Sequence, residues 1–91
     1  MSEIRFPCPC CGYPTLSERP PGTFDICEVC GWEDDDLQYR QPSHDGGANS
    51  VSLHQARANF EATGASDPAK RDPLRSPTDE ERRDRVRYDP A

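Results

Sequence analysis

Cys8-Pro9-Cys10-Cys11-Gly12 and Cys27-Glu28-Val29-Cys30-Gly31 decide how this chain folds. Each is a C-x-x-C pair closed by glycine, and residues 12–26 separate the two. Two residues between ligands let both sulfurs of a pair converge on one ion. A glycine after the second cysteine lets the backbone turn tightly, so that N–H groups can point at the thiolates. The spacing predicts a four-thiolate site of Cys8, Cys11, Cys27 and Cys30 holding one structural Zn2+. Four protein sulfurs leave no coordination position for water or substrate, so the expected metal is structural and not catalytic. A rubredoxin-like iron site uses similar knuckles and is not separated by spacing; zinc is favoured as the usual occupant of closed thiolate sites.

Composition makes such a staple necessary. Of 91 residues, 32% are hydrophobic and 31% charged, with 10 prolines, so a large apolar core is out of reach. Metal binding to a site absent from the unfolded chain becomes folding free energy, about 10–16 kcal/mol at neutral pH in comparable zinc peptides. Disulfides are the competing staple. The stretch Met1–Phe6 has neither a basic n-region nor an apolar h-region, and the five cysteines are odd in number, so a reduced, cytoplasmic setting is expected. No apolar run approaches the roughly 20 residues that span a bilayer.

Charge is unevenly placed. Residues 1–51 carry three arginines against nine acidic residues, whereas residues 52–91 carry eight basic and eight acidic side chains. Four thiolates around a dication would add about −2 to the first half. Such a surface repels phosphate backbones and makes nucleic acid an unfavourable partner.

The β-prone stretches Tyr13–Ser17 and Thr23–Ile26 flank the turn signal Arg19-Pro20-Pro21-Gly22 and predict a hairpin that returns the second knuckle beside the first. One helix is expected near 52–63, with Ser52 and Gln55 as a capping box, Ser50 as a rival cap, and Gly64 as the stop. Leu53, Ala56 and Phe60 form its apolar stripe. Trp32, Leu37, Val51, Leu53 and Phe60 are expected to cluster over one side of the hairpin. Beyond Ser66, Pro68, Pro73, Pro77 and Pro90 break the chain and charge dominates, which predicts an extended or disordered tail. Thr78-Asp79-Glu80-Glu81 resembles a helix start, but the segment after it has little apolar face. The expected fold class is a small metal-stabilised α+β fold. A zinc ribbon packs against one α-helix across residues 1–65, and a polar Pro/Arg-rich tail spans 66–91.

Other features read as ordinary surface. Cys10 is a spare small side chain beside the site, with no adjacent Lys or His to activate it as a reactive thiol. The Glu33–Asp36 run is read as a solvated face, His44 with Asp45 as a weak metal site at most, and His54 as a helix-flank residue. Gly46-Gly47 lacks the lysine of a phosphate loop.

Three blocks in order carry a family resemblance: Phe6–Tyr13, Gly22–Asp35, and Gly46–Asn49 followed by Val51–Phe60. Together they resemble the bacterial cysteine-rich CPCC family over roughly residues 4–66. The resemblance implies a zinc-binding fold and bacterial origin and supplies no activity. The closed metal site and the lack of a catalytic constellation give the expectation of a non-enzymatic protein-interaction module, engaged through its acidic face or the aromatic surface near Trp32; a small-molecule substrate or a membrane is not expected. The alternatives are a rubredoxin-like or thiol redox protein and a toxin-neutralising or regulatory small protein.

Overall fold

In the computed structural model, residues 4–70 and 74–88 are described. The first knuckle closes on itself. Cys8 N–H donates to Tyr13 O at 3.0 Å, which turns the chain back after five residues. As a result β1 (Phe6–Pro7) pairs antiparallel with β2 (Pro14–Leu16). The register sets Phe6 opposite Leu16 and Pro7 opposite Pro14, leaving Thr15 as an extra residue in a bulge.

The second knuckle repeats the device. Cys27 N–H donates to Trp32 O at 2.9 Å, and Ile26 bridges Glu33. This corrects the expected hairpin. The stretches 13–17 and 23–26 do not pair with one another. Each pairs across its own knuckle, because closing a five-residue loop costs less chain entropy than closing the longer connection between them. The connection bends through a cis Pro20–Pro21 peptide and Gly22 at φ +88°.

The acidic run is structural, which corrects its reading as solvated surface. Asp34 is fully buried, and its Oδ2 accepts from Thr23 N at 2.9 Å and Thr23 Oγ1 at 2.8 Å. Asp35 caps α1 (Asp36–Arg40), accepting from the N–H groups of Leu37 and Gln38. Asp36 pairs with Arg40 one turn on, at 2.7 Å. The buried Gln38 of α1 then carries the next loop. Its Nε2 donates to the carbonyls of His44, Asn49 and Val51, while its Oε1 accepts from Asn49 N and Nδ2. Asn49 in turn clasps Glu33, accepting from its N–H and donating to its carbonyl.

Helix α2 (Leu53–Thr63) starts at Ser52, whose hydroxyl accepts from Gln55 N, and stops at Gly64 in the left-handed conformation at φ +84°. Ser52 and not Ser50 is the cap. The expected reciprocal box is half made, since the Gln55 amide reaches Asn59 instead. Leu53 and Ala56 are buried, and Phe60 packs against the core with Val51. The core gathers the cysteines, Tyr13, Leu16, Val29, Trp32, Leu53 and Ala56. Leu37, expected in it, is instead exposed, because Asp35 and the buried Gln38 fix which side of α1 faces inward.

After a 3-10 turn at Pro68–Lys70, residues 74–88 run back across the knuckles, which corrects the expectation of a loose tail. They include α3 (Asp79–Arg83), whose Thr78 and Glu81 make a complete capping box. Arg75 holds that box in place, donating from both Nη groups to the Glu81 carboxylate at 2.8 Å. Pro73 and Pro90, two of the expected chain breakers, lie outside the described residues. The radius of gyration, 12.0 Å, matches the roughly 12 Å of a compact chain this long.

Candidate metal centre

The two knuckles meet face to face. The Sγ atoms of Cys8, Cys11, Cys27 and Cys30 all lie within 4.8 Å of one another. Cys8 and Cys30 sulfurs are 3.6 Å apart, and those of Cys11 and Cys27 are 3.7 Å apart. Both separations are far too long for a disulfide, and all five cysteines are free. They match the edge of a tetrahedron of metal–sulfur bonds, about 3.8 Å for bonds of about 2.3 Å. All four side chains are buried. The sequence-predicted ligands therefore converge on one point, and the donor set fits a thiophilic ion.

The surroundings suit thiolates. Cys10 N–H donates to Cys8 Sγ at 3.4 Å, and Trp32 N–H donates to Cys30 Sγ at 3.4 Å, the amides anticipated from the knuckle glycines. The bulge at Thr15 aims its hydroxyl at Cys27 Sγ, 3.0 Å away. Burial pushes the Cys8 and Cys30 thiols up. Cys11 is raised first by its hydrogen bond to Cys27, and Cys27 is driven down first by that same bond, with Thr15 adding to it. A dication bound here would supply the charge that holds clustered thiolates deprotonated, so its binding would release protons.

The knuckles also share an outer frame. Gly12 N–H donates to Cys8 O and Gly31 N–H to Cys27 O, each at 2.9 Å. With the amides turned inward, the carbonyls at the second and fourth positions face outward, and each finds a donor. Pro9 O accepts from Arg57 Nε and Cys11 O from Arg85 Nε. Glu28 O accepts from Arg75 N and Cys30 O from Ser66 N. Around the first knuckle, Tyr88 Oη donates to Cys8 O at 3.0 Å and Val86 N to Gly12 O at 2.9 Å. The Arg57 guanidinium stacks on Tyr88, and Arg85 lies over Tyr13.

Sequence reasoning missed Thr15, Arg57, Arg85 and Tyr88. No spacing rule reaches them, since their contacts span up to 80 residues. Cys10 is buried beside the site but outside the four-sulfur cluster. Among the described residues, no other group of three or more Cys, His, Asp or Glu ligands gathers, so His44 and Asp45 build no second site. His54 Nδ1 meets only Ser43 Oγ, at 3.4 Å. No helix among the described residues is long and apolar enough to cross a membrane.

Fold and site together define a small protein built on two glycine-closed cysteine knuckles whose four gathered sulfurs could hold one metal ion. The chain belongs to the cysteine-rich CPCC family, whose profile matches residues 6–81. The match runs past Ser66 and takes in part of the tail, up to the first three residues of α3. No curated protein matches the chain.

Proposed function

We propose that this chain binds one zinc ion as a structural element and serves, without catalysis of its own, as a docking module for another protein. The observation carrying the first half is the buried set of four sulfurs, which fills every position of a tetrahedral centre and leaves none for a substrate. Zinc is preferred to iron as the usual occupant of such closed sites.

The second half rests on the loop leading into the second knuckle. Phe24 sits at φ +60°, a conformation bulky residues rarely adopt, and is 61% exposed. Ile26, two residues on, is 62% exposed. Strained backbone that presents apolar side chains to solvent is common at binding surfaces. The exposed Glu18 lies in the same stretch of chain, which suits a partner bearing Lys or Arg beside an apolar patch.

Native mass spectrometry of the full chain purified from zinc-replete cells tests the metal reading: one zinc per chain and a colourless protein are expected, while iron and a visible absorbance contradict it. For the docking reading, a protein retained stoichiometrically by the wild-type chain is expected to be lost from a Phe24→Ser/Ile26→Ser variant that keeps its metal. Equal retention by both rejects this face.

A further inference from the structure

The outward carbonyls of the knuckles are held unequally by the chain that returns over them. At the second knuckle, residues 74–88 supply one backbone donor, Arg75 N to Glu28 O, and Leu74 packs beside Gly31. At the first they supply three: Arg85 Nε to Cys11 O, Val86 N to Gly12 O, and Tyr88 Oη to Cys8 O. The approach is close enough that a Cβ at Gly12 would overlap the Val86 carbonyl. Behind this contact lie Cys8 and Cys11, buried to within 1% of full enclosure.

We propose that residues 74–88 are a strap that slows metal loss from the site by holding the first knuckle closed. This rests on the metal reading above and extends it. Before a competing ligand can reach the Cys8 or Cys11 sulfur, the first knuckle must open. With the strap docked, opening breaks three hydrogen bonds and unstacks Arg57 from Tyr88 and Arg85 from Tyr13. Arg85 also pairs with Glu61 at 3.4 Å, so this end of the strap is held from two sides and must lift by local opening before the knuckle can open. Once it lifts, an external chelator takes the ion and the released thiolates take up protons. Arg85 and Tyr88 are positioning residues here: they hold the peptide that carries the ligands and do not touch the ion.

The test uses the full chain loaded with Co2+, whose thiolate charge-transfer absorbance reports the site, mixed with excess EDTA. Tyr88→Phe, which removes one hydroxyl and keeps the ring under Arg57, is expected to speed release about threefold, and Arg85→Gln/Tyr88→Phe about tenfold or more. The starting spectrum should be unchanged in both, which a variant that merely distorted the site would not show. Arg82→Ala, on exposed α3, should release at the wild-type rate. The strap is overturned if Tyr88→Phe and the double variant release at the wild-type rate, or if Arg82→Ala speeds release equally. Should the double variant not fold, Tyr88→Phe alone decides. Absence of thiolate-to-cobalt bands in the wild type overturns the metal reading and this inference with it, whereas intact bands with an unmoved rate overturn the strap alone.

Discussion

Phe24 and Asp35 show how single residues here trade stability for position. Phe24 is held at φ +60° and is largely exposed, so its backbone strain is offset by little burial. Asn tolerates that conformation better, and Phe24→Asn is expected to raise stability by about 0.5–1 kcal/mol, seen as a higher Tm. A lower Tm would show that the ring contributes to the fold. Asp35 works in the other direction. It accepts from Ala48, Leu37 and Gln38 N–H groups, and these bonds, that from Ala48 foremost, hold its carboxyl below the usual carboxylate range. A depressed folded-state pKa means the stabilisation is complete above the unfolded value and fades as pH falls through the folded one. Asp35→Ala should therefore cost about 1–2 kcal/mol at neutral pH, by loss of the α1 cap and of the loop contact. The Tm gap to wild type should hold steady from about pH 8 to about pH 5 and narrow only below that. A gap that narrows already near neutrality would assign the effect to another group.

At the scale of elements, the parts legible in the sequence were those governed by local rules. The knuckle glycines, the Ser52 cap, the Gly64 stop and the Leu53–Ala56–Phe60 stripe each depend on residues within one or two turns, and each is found where the pattern places it. The strand pairing was misread because β-propensity marks stretches 13–17 and 23–26 as extended but is silent on which partner each takes; the tight knuckle loops decide that. The acidic run was misread because charge density suggested solvent, whereas Asp34 and Asp35 spend their carboxylates on backbone N–H groups and a threonine hydroxyl. Helix α1 was missed since five residues carry too little periodicity to stand out. Its buried Gln38 is the element's main contribution, for it satisfies three carbonyls and an N–H of the 44–51 loop. Gln38→Ala strands those groups in a buried setting and should cost about 2–4 kcal/mol, with faster amide exchange at Asn49 as the local sign. Unchanged exchange there would contradict this account of the loop.

For the whole molecule, the polar tail behaves as part of the fold. Two of its few apolar residues, Leu74 and Tyr88, were the available hint, each lying against a knuckle glycine or carbonyl. Nothing in composition distinguishes such a segment from a solvated one, because its attachment is made of guanidinium and hydroxyl donors meeting backbone carbonyls far away in sequence. The candidate site was the reverse case: spacing alone identified all four sulfurs that converge, while the frame around them was visible only in three dimensions. What remains small is the apolar core, which consists largely of the cysteines themselves with Trp32, Leu16 and Leu53. If the chain folds around the proposed ion, such a core should be too slight to hold the fold without it. The most direct measurement is a thermal melt of the full chain, followed by circular dichroism before and after complete chelation under reducing conditions. A cooperative transition that disappears with the metal and returns on adding Zn2+ is the predicted result. A transition that persists in metal-free protein with all five thiols free would contradict it.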